Sequence, residues 1–272
     1  MLTEIQRALA AWKWSLAVLA RSPALVVALI VFTGLWGGAA YVWLGLPESS
    51  TLILVLTLVW ALAQVAITVA VFAGAIDSLS EAAWSSHACV RLRSLVGFDR
   101  RQMARLCAWL IVAFLITWSV AAAFAWVNDH ALEVASFLSL HSGKPVSHVP
   151  VEWVFQVIEA FVWLVLAGFI FSFLILLLRQ GWGAALHAIR RTLAGCTWRA
   201  PFLTTLLAAV IFAWGADKLA VSHPRVPSGF WDYTQMLVRL GGALAWLVVG
   251  WLLEILSLAW LARPQTTDST AI

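Results

Sequence analysis

Six stretches of this chain are nearly unbroken apolar sequence of about 20 residues or more, and no other feature restricts the possible fold as much. A helix rises ~1.5 Å per residue, so about 20 residues cross a hydrocarbon core ~30 Å thick. The stretches run approximately over 23–45, 51–76, 104–127, 153–178, 201–221 and 235–262. Lipid offers the backbone no hydrogen-bond partners, so each must satisfy its own N–H and C=O groups as a helix. The reading is an all-α integral membrane protein with six transmembrane helices, forming a single polytopic domain over 1–272. Composition agrees: 63% of residues are hydrophobic and only 11% charged, against about a quarter charged in soluble domains. The fifth span is the weakest, because Asp217 and Lys218 interrupt it near its exit.

The basic residues orient the bundle. Of the 17 Lys and Arg residues, all but Lys144, Lys218, Arg225 and Arg239 fall on the side of the N-terminus. The positive-inside rule then puts both termini in the cytoplasm, and the expected location is the plasma membrane of a bacterium, its inner membrane. Topology also accounts for the +4 net charge and the isoelectric point near 9.3 without nucleic acid as a partner. Arg7, Lys13 and Arg21 precede an apolar run from Ala24 to Gly45 that exceeds the roughly 7–15 residues of a cleavable signal core, which predicts an uncleaved signal anchor. Ser22 and Pro23 are expected to supply that helix with its cap and first-turn proline. Cys89, Cys107 and Cys196 lie on the cytoplasmic side without metal-ligand spacing, and no disulfide is expected.

A polar, arginine-bearing segment with helical periodicity precedes each pair of spans, over about 2–21, 78–102 and 180–199. In the first, Leu2, Ile5, Leu9, Trp12, Leu16 and Leu19 form one apolar stripe, the pattern of an amphipathic helix lying on the cytoplasmic face of the membrane. RALAAWKW over 7–14 matches RTLAGCTW over 191–198, each followed by a proline, Pro23 or Pro201. His87-Ala88 with Arg91 matches His187-Ala188 with Arg191. These matches point to three diverged units, each an interfacial helix and a helical hairpin. Arg91, Arg93, Arg190 and Arg191 are expected to contact anionic lipid headgroups. Of the 18 tryptophans, many fall near span ends, including Trp43, Trp126, Trp153, Trp182, Trp198, Trp231 and Trp260, where indole rings anchor helices at the headgroup level. Trp60, Trp118 and Trp251 are expected deeper, between helices or against lipid.

Ionisable groups inside a bilayer are costly, which makes them candidates for function. Glu254 is the foremost, ~13 Å in from the cytoplasmic end of the last span. Gln64 in the second span is expected at similar depth, within reach of a hydrogen bond to it. Glu159 and Arg239 are placed to pair across the fourth and sixth spans. The structural alternative is that these groups merely hold helices together. His130, His141, His148 and His223 share the outer loops with several carboxylates, but their spacings match no metal motif, and solvated loop histidines are the simpler reading. Walker, dinucleotide-binding, HExxH and nucleophile-elbow motifs are absent from the sequence, so no catalytic residue and no cofactor is assigned, which weighs against an enzyme.

Three function classes follow. The first and preferred is a non-enzymatic accessory or scaffolding subunit of a larger membrane complex, with bilayer lipids and other proteins as partners. The second is a small transporter or channel with Glu254 as intramembrane carrier. The third is a lipid-modifying enzyme at the outer face, using the loop histidines and acids.

Overall fold

A computed structural model describes residues 2–45, 50–85, 90, 100–145, 147–197, 199–221 and 230–263. The described residues form helices and no strand, and six helical stretches are long and apolar enough to cross a membrane. The chain is an all-α polytopic membrane protein. Its elements are α1 (Leu2–Ala20), α2 (Pro23–Leu44), α3 (Thr51–Trp84), α4 (Arg100–Asp129), α5 (Ala131–Ser142), α6 (His148–Gly195), α7 (Ala200–Ala208), a π-helical turn (Ala209–Ala213), α8 (Trp214–Val221) and α9 (Phe230–Ala262).

All six expected spans are present, but several are longer than the apolar stretches. α6 continues past the expected end at 178 to Gly195, so the third polar segment is an arm of the same helix. The arm is set off by a break at Gly181, with φ 82° and ψ 176°. A side chain there would be strained by that backbone and would meet the guanidinium of Arg105 on α4. The second polar segment lies mostly outside the described residues, so the proposed three units can be compared only at the first and third. Pro23 starts α2 as expected, whereas the Ser22 hydroxyl makes no cap to its own helix. It accepts the backbone N–H of Val90 at 2.9 Å, tying the α1–α2 corner to the chain beyond α3.

Burial is concentrated at one end of the bundle, here called the terminal face because α1 and the end of α9 both lie there. In α2 only Leu25 and Leu29 are buried, in α3 only residues from Ala73 onward, and in α4 only Leu106, Trp109 and Ala113. α9 is the central helix, and Leu252, Leu253, Ile255, Leu256, Ser257, Leu258 and Ala259 are enclosed on every side. Half of its most apolar window is buried, against none of that of α3.

α1 packs on α7 and α9 through Ala8, Ala11, Ser15, Val18 and Leu19, with the Ser15 and Ser257 hydroxyls bonded at 3.0 Å. Of the predicted apolar stripe, Leu19 is buried and Trp12 packs against the core, while Leu2, Leu9 and Leu16 are exposed. Small residues let two helix backbones approach closely, so Ala8, Ala11 and Ser15 join the packed side although they lie outside that stripe.

Several tryptophans also do more than anchor helix ends. Indole N–H groups donate across helices from Trp84 to the carbonyl of Ala259 (3.1 Å), from Trp109 to that of Ile170 (3.3 Å) and from Trp36 to the Thr68 hydroxyl (3.0 Å). Trp126, Trp153 and Trp231 are exposed at helix ends, as anchoring requires.

Polar contacts lock the terminal face. Arg179 of α6 donates to Ser80 Oγ at 2.8 Å and to the carbonyl of Asp77, and its guanidinium lies 3.4 Å from the Asp77 carboxylate. Both side chains are less than a fifth exposed. Removing one partner from such a pair strands the other charge, so Arg179→Leu is expected to lower stability by about 3 kcal/mol in reversible detergent unfolding. The exposed Arg190→Leu should stay within about 0.5 kcal/mol.

Glu4 of α1 reaches the start of α7, where its Oε2 accepts the Ala200 N–H at 3.0 Å and its Oε1 pairs with Arg7 at 3.3 Å. That backbone hydrogen bond, chiefly, holds the carboxyl below its ordinary value of 4.5, against a smaller opposing effect of burial. A lowered folded value means that the stabilisation is complete above pH 4.5 and fades as pH falls through the lower value. The difference in unfolding midpoint between the native protein and Glu4→Gln should therefore be largest near neutral pH and shrink on acidification.

Candidate functional site

The fifth span does not run as one regular helix. α7 begins with Ala200 and Pro201, and the π turn at Ala209–Ala213 interrupts the span before α8 resumes it. A π turn widens the helix and disturbs its hydrogen-bond ladder, and such turns recur at functional sites. Here α9 supports it directly. Trp246 donates its indole N–H to the carbonyl of Ile211 at 3.2 Å, and its ring packs 5.2 Å from that of Phe212. Gly250 leaves the space that Phe212 fills, and Gly215 leaves space for the Trp246 indole.

Beside this turn lies a cleft of 680 Å³, bounded by α6, the α7–π segment and α9. Small residues make its walls, Ala160 and Ala167 from α6 and Ala209 and Ala213 from the π turn. Thr205 and Glu254 are the polar side chains in a lining that is otherwise almost wholly apolar. The Thr205 hydroxyl stands within hydrogen-bonding reach of the Glu254 carboxyl and also 3.1 Å from the carbonyl of Pro201. A threonine has one proton to donate, so the two acceptors share it. Glu254 Oε1 is buried with no hydrogen-bond partner, an expensive arrangement in an apolar surrounding.

The cleft joins Glu254 to a partner different from the one expected. Gln64 does not reach it: the Trp36 indole N–H donates to the main-chain carbonyl of Gln64 at 3.4 Å, and the side-chain amide nitrogen of Gln64 is buried without a partner. The reason is the position of Gln64 in the part of α3 that stands off the bundle against α2. Glu159 and Arg239 also take separate partners. Glu159 accepts from Asn128 of α4 and from Trp163 one turn along α6, both at 3.3 Å, while Arg239 donates to Gln235 at 3.4 Å.

The loop histidines turn to their own surroundings. His130 contacts the carbonyl of Trp126 at 2.7 Å with its ring 4.3 Å from that indole, and His141 stacks on Phe137 at 5.8 Å. His148 is the first residue of α6, and His223 lies outside the described residues. Among the described residues no group of three or more His, Cys, Asp or Glu side chains could hold a metal. Arg190 and Arg191 are exposed on the arm of α6, whereas Arg91 and Arg93 lie outside the described residues. Cys196 is buried, and burial pushes its thiol up to about 11, while Cys107 is exposed.

Thr205 and the π turn are the parts of this site that sequence reasoning missed. The usable signal for Thr205 was Pro201 followed at one-turn spacing by Thr204 and Thr205. Searches across protein families, curated proteins and solved structures gave no match to this chain.

Gly250→Leu should force Phe212 out of its place and destabilise the protein by about 1–3 kcal/mol, read as a lowered detergent unfolding midpoint. Glu254→Leu removes an unsatisfied carboxyl from an apolar cleft, and the same measurement should show stability equal to or above that of the native chain. In detergent, a membrane-permeant maleimide should label Cys107 before unfolding and Cys196 only after it, as read by mass spectrometry of the cysteine peptides.

Proposed function

We propose that this chain is a non-enzymatic accessory or scaffolding subunit of a larger membrane complex, with both termini in the cytoplasm of a bacterium whose inner membrane holds it. The observation that carries this reading is the half of the α2–α3 hairpin farther from the terminal face. From residue 30 of α2 and up to residue 72 of α3, no described side chain is buried. The two helices hold each other through a ladder of rings, with Trp36 and Trp60 at 5.7 Å and Trp43 and Trp60 at 5.4 Å. Leu52, Leu58, Leu62 and Val65 are left on an outward flank. Packing rather than hydrophobicity drives helix association in lipid. A hairpin pre-assembled by its own aromatic contacts offers a neighbouring helix a finished surface at little ordering cost.

A second reading, transport with Glu254 as carrier, draws on the cleft that exposes this carboxyl beside an interrupted span. Its support is weaker because the lining offers Glu254 one polar neighbour, Thr205, and a relay needs a chain of them.

Gentle-detergent extraction of a tagged chain should bring down stoichiometric partners, and a photo-crosslinking residue at Leu62 should capture one of them while the same residue at the buried Leu256 captures none. A chain that elutes alone and forms no crosslink overturns the subunit reading. Loss of flux on Glu254→Gln in proteoliposomes would then establish transport.

A further inference from the structure

On the terminal face, in a cavity separate from the Glu254 cleft, three arginines from three separate elements converge on 610 Å³ of space. Arg7 comes from α1, Arg191 from the arm of α6 and Arg263 from the end of α9. No carboxylate is among the described residues that line it. The inner wall is aliphatic, with Leu176 of α6 and Leu258 and Leu261 of α9. A smaller hollow of 60 Å³ lies between Arg7 and Arg263.

Two of the guanidinium groups are held in place without being used up. Arg7 commits one N–H group to Glu4 at 3.3 Å, and a guanidinium has five N–H donors. Arg263 lies 4.2 Å over the face of the Trp260 ring, an arrangement that supports the plane and leaves its edge for hydrogen bonding. Planar, oriented guanidinium groups fit phosphate oxygens better than lysine would. An aliphatic wall directly behind them fits a molecule that is apolar on one side of its phosphate. The arginines stand where α6 and α9 leave the apolar part of the bundle, which is the depth of a headgroup.

We propose that this cavity binds the phosphate headgroup of an anionic phospholipid from the leaflet at the terminal face, with the start of an acyl chain on Leu176, Leu258 and Leu261. The site requires no other subunit. It specifies one bound lipid, in contrast to the diffuse attraction that any basic surface exerts on an anionic leaflet.

The test uses the full chain, delipidated in a neutral maltoside detergent, with native mass spectrometry and the thermal midpoint as readouts. Phosphatidylglycerol should bind one to one and raise the midpoint, at about tenfold or greater preference over phosphatidylcholine. Arg191→Gln and Arg263→Gln should each weaken that binding about fivefold. Lys13→Gln, exposed on α1 and not lining the cavity, should leave it unchanged. Leu261→Trp, which fills the apolar wall and keeps all three charges, should weaken phosphatidylglycerol binding and spare any binding of inorganic phosphate. Each single variant carries the test independently if another fails to fold. Equal binding of the two lipids, or an equal loss in Lys13→Gln, would overturn the proposal. So would inorganic phosphate that competes as well as the lipid, since the site would then belong to a soluble anion.

Discussion

α9 is the support on which most of the other helices rest, and its last eleven residues are the most completely enclosed. Over Leu252 to Ala259 this helix is buried almost all round, and α1, α2, α3, α6, α7 and α8 all pack on it. Only a helix with no outward face can bring so many neighbours together, and its sequence is apolar on every side there except at Glu254 and Ser257. Ser257 meets Ser15 of α1, and Glu254 opens into the cleft beside α7. The two polar residues thus mark the two sides on which α9 is not closed by aliphatic packing alone.

Dense packing at one end leaves the other end loose. α2 and α3 touch mainly each other beyond the core, and Glu159 is satisfied locally by Asn128 and Trp163 without a cross-bundle ion pair. Packing density is therefore unevenly distributed along the length of the bundle. The packed half carries the Arg179–Asp77 lock and the Glu4 link from α1 to α7. The open half carries the aromatic hairpin and most of the exposed aliphatic surface.

The six spans were legible because a bilayer sets the length and polarity of whatever crosses it, and those two properties can be read from composition alone. Features that depend on shape were less so. The apolar stripe of α1 was identified by size, yet Ala8, Ala11 and Ser15 join Leu19 on the packed side, because closeness of approach favours small side chains. The continuation of α6 past 178 was hidden because the apolar run ends there at Arg179, whereas the helix goes on through a break at Gly181. Glu254 lies within the last apolar helix, but matching its depth to Gln64 ignored rotation about the helix axis, and Thr205 stands nearer. The π turn had no composition signal of its own, since it follows from how Trp246 and Gly250 of α9 meet Phe212 and Ile211.

The tryptophan contacts between helices are unusual in being written on one side only. When Trp84, Trp109 or Trp246 donates to a main-chain oxygen on a neighbouring helix, the acceptor is present whatever amino acid occupies that position. Ala259, Ile170 and Ile211 are then free to drift to other residues of similar bulk without breaking the connection, while the indoles themselves are not. Related sequences diverging from this one would accordingly keep their tryptophans longer than the residues those tryptophans hold, and would show little pairwise covariation across the very contacts that join their helices.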